Sequence, residues 1–288
     1  MEYSNQPIPE GINTSKTHPL KELVQLLTVV TIALVALFWL LGLAADYLAA
    51  KIPFEYEQDL WDGRVPDEVV DGGIPAYLQT LTRRLVEKMD LPDGMTVRVH
   101  YCDSPVVNTR ATLNGKVVVC RGLLERLPNE NALAMVLAHE IAHIKLRHPL
   151  RSLGRGVVLA AAIGALTGTG GNTLGSLVVG ETGTLTALSF SRDQEEASDA
   201  EGLQAVVALY GHGSGADELF QALLDEEQNS ALGGPQLEFL STHPLSRDRI
   251  DAMTELAQEH HWTLNAKTTS LPLFMPAGPS SSPERGCE

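Results

Sequence analysis

Ala138-His139-Glu140-Ile141-Ala142-His143 is the stretch on which the reading of this chain turns. Its His-Glu-x-x-His pattern stands in a run with helical character. On a helix, positions i and i+4 share a face. His139 and His143 can then reach one metal ion, and Glu140 stands beside the water that such an ion activates. That is the ligand arrangement of a zinc hydrolase. A pattern this short also arises by chance, so the surrounding sequence has to decide.

Working outward, the helix follows Pro128, has Asn129 as its N-cap, and is limited by Pro149. Upstream, residues 74–90 have helical periodicity through Tyr77, Leu78, Leu81, Leu85 and Met89, with Pro75 in the first turn. Val97, Val99 and Tyr101 alternate with Arg98 and His100, which predicts a strand. Residues 111–113 and 116–120 flank Asn114-Gly115, a hairpin signal. Downstream, helical patterning covers 184–210, 216–228 and 245–260. The fold class expected is mainly α with a small β-sheet (α+β).

A catalytic zinc site takes three protein ligands and keeps one position for water. The best third ligand is Glu195, in the run Arg192-Asp193-Gln194-Glu195-Glu196-Ala197-Ser198-Asp199 on a separate helix. Asp199 lies one turn later on the same face, where a carboxylate can accept the outer N–H of a ligand imidazole and fix its tautomer. Glu196 points roughly 100° away and should not share the role. Taken alone, the acidic run reads as a solvated helix face. A third cluster, Thr242-His243-Pro244-Leu245-Ser246-Arg247-Asp248-Arg249, reads by itself as an ordinary helix start. Its functional reading sets His243 near the open zinc position, as a fourth ligand or an oxyanion stabiliser, and gives Arg247 or Arg249 an acidic partner, Arg247 foremost. His148 reads as a helix-end histidine that favours the dipole.

The chain has 288 residues and is 44% hydrophobic but only 5% aromatic, so its core is built mainly from Leu, Val, Ala and Ile. A net charge of -15 without a basic cluster argues against a nucleic-acid partner. The three cysteines show no C-x-x-C spacing. Cys102 and Cys120 close neighbouring strands and could pair under oxidising conditions, although buried thiols are the simpler reading.

Residues 1–22 are polar and proline-containing, a flexible cytoplasmic arm. Residues 23–45 carry no charge and are long enough to cross a bilayer as a helix. A cleaved signal peptide is the competing reading, but its apolar core is usually only about 7–15 residues. Lys16 and Lys21 precede the span and acidic residues follow it, which puts the bulk of the chain outside the cytoplasm. Residues 46–73 read as a linker, 74–266 as the catalytic domain and 267–288 as a disordered tail. Residues 154–183 fit three arrangements equally: a mobile lid, a membrane-dipping hairpin, or a core helix pair.

His139-Glu140-x-x-His143, then Ser191-Arg192-x-x-Glu195-x-x-x-Asp199, then Thr242-His243-Pro244 with Arg247 resemble the membrane-associated zinc metallopeptidases of family 48, the HtpX, BepA and CAAX-prenyl-endopeptidase type, with the mitochondrial Oma-type protease a further relative. The resemblance runs over about 75–253. It implies a gluzincin-type, mostly helical domain with a small sheet beside the zinc helix, one Zn2+ per chain on His139, His143 and Glu195, support from Asp199, and a His243 that caps the metal and holds the site latent. One span instead of several sets the chain nearest the single-anchor branch concerned with protein quality control. The expected activity is a membrane-anchored endopeptidase acting on misfolded or envelope polypeptides. Glu140 would be its general base, in a bacterial inner membrane with the catalytic domain periplasmic. The alternative is a zinc-bound latent or non-proteolytic protein that holds unfolded clients.

Overall fold

The computed structural model describes residues 18–60, 73–167, 190–229 and 238–272. In chain order these form α1 (Pro19–Ala49), α2 (Glu55–Leu60), α3 (Gly73–Val86), β1 (Arg98–Cys102), β2 (Thr109–Ala111), β3 (Lys116–Cys120), the single turn α4 (Arg121–Leu124), α5 (Glu130–Lys145), α6 (His148–Thr167), α7 (Arg192–Tyr210), α8 (Glu218–Asn229), α9 (Glu238–Thr242) and α10 (Arg247–Glu259). The expected mostly helical fold with a small sheet is the observed one.

Helix α5 is the centre of the molecule. Every residue from Glu130 to Ile144 is buried, as expected for a helix that is apolar around most of its circumference. The Asn129 side chain accepts from the Ala132 amide and closes its N-terminus. Helix α7 packs along α5, starting from a Ser191/Gln194 capping box and ending at Gly211 in the left-handed conformation. The two helices approach closely at Gly202: a Cβ there would lie 3.0 Å from Met135 Cε and 3.3 Å from the His139 amide nitrogen. Leu133, Leu137, Ile141, Leu203, Phe220 and Phe239 fill the space around this pair.

The sheet has strand order β1-β3-β2. β1 runs parallel to β3, with Val99 opposite Val117, and β2 runs antiparallel to it, with Ala111 opposite Val117. The hairpin forms at Asn114-Gly115, where both residues have positive φ. A Cβ on Gly115 would collide with the Thr96 carbonyl oxygen, so only glycine fits. The outgoing strand stops at Ala111 and not at Leu113, because Leu113–Gly115 tightens into a 3-10 turn. Cys102 and Cys120 face each other in the β1–β3 register, but Cys120 remains a buried thiol and is not bonded to Cys102.

Three segment boundaries differ from the sequence reading. Within the expected linker 46–73, α2 forms and Phe54 enters the core, because Arg147 lies over its ring, bonds Glu57 at 3.0 Å and donates to the Ile52 carbonyl at 2.6 Å. At the start of the expected disordered tail, Thr269 clamps the first turn of α5: its carbonyl accepts from the Glu130 amide and its amide donates to Asn131 Oδ1. Pro149 does not end α5. That helix stops at Lys145, the chain reverses through Arg147 with φ 62°, and Pro149 takes the first turn of α6, where its missing N–H costs nothing.

Helix α1 is longer than the charge-free stretch that predicted it, and the most apolar part of it buries nothing. Helix α6 lies against its C-terminal end. Part of the 154–183 stretch is therefore a helix; residues 168–189 fall outside the described residues.

Candidate metal centre

The i, i+4 spacing on α5 sets His139 Nε2 and His143 Nε2 2.9 Å apart. Helix α7 brings Glu195 against both: Oε2 lies 3.4 Å from His139 Nε2 and Oε1 3.4 Å from His143 Nε2. His243, just past α9, closes the group with Nδ1 3.1 Å from Glu195 Oε1 and 3.3 Å from His139 Nε2. One donor atom from each of these four residues lies within 4.8 Å of the others, and all four side chains are buried. Imidazole nitrogens crowded against each other and a carboxylate, away from water, are costly without a cation. Tetrahedral zinc with bonds of about 2.0–2.3 Å wants this donor set and this compactness.

Around the donors lies a charged frame. Asp199 Oδ1 approaches His139 Nδ1 to 2.9 Å, which turns Nε2 toward the metal position. Arg249 donates from Nε and Nη2 to the two Asp199 oxygens at 2.7 and 2.8 Å, and its Nη1 lies 2.7 Å from Glu195 Oε2. One guanidinium thus holds both α7 carboxylates, a fork geometry that lysine cannot supply.

Burial alone would lower the His139 imidazole, but the Asp199 and Glu195 carboxylates outweigh it and push it up to about 9. Burial, with His139 nearby, holds His143 well below its usual range. Burial would raise Glu195 and Asp199, yet His243 and His139 respectively, with their other cationic neighbours, pull both carboxyls down. Glu140 goes the other way: burial raises it, against the opposing pull of His243, His139 and the Ala111 amide. His243 Nε2 lies 3.4 Å from Glu140 Oε1.

The structure therefore gathers His139, Glu140, His143, Glu195, Asp199 and His243 in one buried cluster. Arg247 is not among them. It is exposed on α10, whereas Arg249, two residues and about 200° further round, belongs to the buried face with Ile250, Met253 and Ala257. His148 also departs from its sequence reading. It is buried at the start of α6, with Nδ1 2.9 Å from His143 Nδ1 and 3.3 Å from Ser198 Oγ. Burial, then Arg151, lowers it to about 3, so it is neutral and can accept the outer N–H of His143. Phe190 stacks on the His143 ring at 4.0 Å and Phe239 on His243 at 4.8 Å. None of these three contacts follows a helical spacing from the His-Glu-x-x-His motif, so no local signal marked them.

The model of peptidase family M48 matches residues 75–257. The mitochondrial metalloendopeptidase OMA1 of Schizosaccharomyces pombe is 32% identical over 208 residues, 68% of this chain and 58% of that protein. The beta-barrel assembly-enhancing protease of Escherichia coli (strain K12) is 28% identical over 195 residues, 60% of this chain and 37% of that one. A protease HtpX homolog of Acaryochloris marina is 28% identical over 234 residues, 68% of this chain and 77% of the relative. The chain thus spans little more than half the length of the first and under two fifths of the second.

Proposed function

The chain belongs to peptidase family M48, and from that premise we propose that it is a membrane-anchored, zinc-dependent endopeptidase of protein quality control. The observation that carries the reading is a buried His139–His143–Glu195 donor set with Glu140 beside it. When bound, zinc would supply Lewis-acid polarisation of water and of the scissile carbonyl. Glu140 would take the proton of the attacking water and pass it to the leaving amine. Asp199 orients His139 and His148 orients His143, each through the outer ring nitrogen. Arg249 holds Glu195 and Asp199 together through one guanidinium. Strand β2 borders α5 beside Glu140 and is an edge of the sheet, so an extended substrate can add to it through main-chain pairing that reads little sequence. Misfolded or envelope polypeptides would suit such a site. The apolar helix α1 serves as the anchor, with the catalytic domain on the periplasmic side of a bacterial inner membrane.

His243 supports a second element of the proposal. Its side chain is fully buried among the donors, so it occupies the position that water and substrate need. It acts as the latch of a latent site and must withdraw before turnover. The alternative activity, a zinc-bound protein that holds clients without cutting them, draws on the same closure.

The deciding experiment follows peptide-bond hydrolysis of an unfolded protein by the zinc-loaded full chain in vesicles, beside Glu140→Gln. Cleavage by the parent and none by a variant that still binds zinc is the expected result; equal turnover in the variant would remove Glu140 from the mechanism. If the parent is silent, His243→Ala should release cleavage, and silence there too would favour the holding activity.

A further inference from the structure

The two helices that lie outside the core change character at one common level. In α1, no charge occurs between Glu22 and Asp46; in α6, none occurs from Gly156 to Thr167. Asp46 and Arg155 are the terminal charges of these stretches, and they bond each other in a two-pronged pair, Nε to Oδ1 at 2.8 Å and Nη2 to Oδ2 at 2.7 Å. The helices run antiparallel. Leu150 packs with Ala49, a Cβ on Gly154 would touch Ala45 Cβ at 3.2 Å, and α6 then continues back along α1. The α1 positions that escape full exposure are Phe38, Gly42, Ala45, Asp46 and Ala49, one face of one helix. Contact with the rest of the protein thus extends some two turns past the ion pair, into the charge-free zone.

The outer side of α6 is not built for water. Val157, Leu159 and Ile163 are 51%, 62% and 42% exposed. The polar side chain in its charge-free half, Thr167, donates back to the Ile163 carbonyl at 2.8 Å, as Thr28 of α1 does to Val24. A hydroxyl bonded within its own helix can be accommodated in hydrocarbon, as it can in water, where Thr80 of α3 bonds Ala76 in the same way.

We propose that residues 156–167 of α6 form a second membrane-inserted segment, sunk into the hydrocarbon beside α1 with the Asp46–Arg155 pair at the interface. The proposal rests on the reading of α1 as a bilayer anchor. At 1.5 Å per residue the segment extends about 18 Å past Arg155, more than half the ~30 Å hydrocarbon thickness, so the described part dips and does not cross. His148, which touches the metal ligand His143, starts the same helix. It lies about 10 Å along the axis from Arg155. The metal centre is therefore tied by one rigid element to the membrane surface.

The test is photolabelling of the full chain in phosphatidylcholine vesicles with a carbene precursor dissolved in the hydrocarbon. Glutathione in the water scavenges reagent that escapes, and the labelled positions are mapped by mass spectrometry. Label at Val157, Leu159 and Ile163 in yields comparable to Leu34 and Val35 of α1, and insensitive to glutathione, is the expected result. Label on α1 with none on 157–163, or with label there that glutathione removes, would overturn the proposal and leave the anchor intact; a second copy or another segment of the chain would then cover that face, or water would bathe it. Label on neither helix would overturn the anchor reading as well.

Discussion

The side chain that organises the metal centre is Arg249, not a ligand. Its guanidinium neutralises Glu195 and Asp199 together in a buried setting. Removing one partner of a buried charge network leaves the others uncompensated, a cost of about 3–5 kcal/mol. Arg249→Ala should therefore lower the unfolding temperature markedly and reduce zinc retained through dialysis. Arg249→Lys should recover part of the stability, because one ammonium replaces the charge but not the fork. Arg247→Ala, on the exposed side of α10, should stay within about 0.5 kcal/mol of the parent in the same melts. Equal losses from Arg247→Ala and Arg249→Ala would refute this assignment. The two arginines also mark the limit of legibility at this scale. That an arginine of the 242–249 run has an acidic partner was readable. Which one depends on the face α10 turns inward, and Ser246 as N-cap fixes that register only once the helix is docked.

Among the elements, α5 and α7 decide whether a site exists, and their contact is set at Gly202. Glu195, Asp199 and Gly202 follow one another at helical spacing on the α7 face turned to α5. Gly202→Ala should not stabilise the fold: alanine regains about 1 kcal/mol of helix propensity, but its Cβ presses Met135 at 3.0 Å and the His139 backbone nitrogen at 3.3 Å. Gly202→Val adds a branch toward the His139 backbone, which cannot yield without shifting a ligand. Overpacking of this kind costs about 1–3 kcal/mol, and zinc binding measured by competition with a chelator should weaken even where the fold survives. Unchanged zinc affinity in the valine variant would show that the two helices can separate without disturbing the donors. Although the Ser191/Gln194 box that starts α7 at Arg192 was not read, both helices were legible in the sequence, α5 from its Asn129 cap and α7 from helical patterning over 184–210. Helix α2 and the ordered Thr269 were not. They are held by long-range partners, Arg147 and the first turn of α5, and nothing in their own composition signals order. Pro149 misled for a related reason. A proline punctuates a helix on either side, and here it begins the next one.

For the whole molecule, the proposed relation between the metal centre and the bilayer is what composition could not supply. The charge-free stretch of α1 is visible in the sequence, but that α6 lies antiparallel to it, joined by the Asp46–Arg155 pair, is a long-range contact that no local pattern in 154–183 announces. If the centre lies about 10 Å above that pair, an extended chain emerging from the membrane needs only some three residues to cover the distance. Tethering a substrate to the same vesicle also raises its effective concentration at the site, provided that the linker spans the gap. An unstructured peptide carried on a lipid anchor should therefore be cut faster than the same peptide free in solution at equal bulk concentration. The advantage should be greatest for spacers of a few residues, enough to reach the centre and enter beside β2, and should decline as a flexible spacer lengthens. The measurement is the initial cleavage rate across a spacer series in vesicles, with the detergent-solubilised mixture as the untethered control. Rates that climb steadily with spacer length would place the centre far from the surface. Rates indifferent to tethering, with cleavage intact, would detach the catalytic domain from the membrane altogether, and the rigid link through α6 and His148 would then have no part in how substrate arrives.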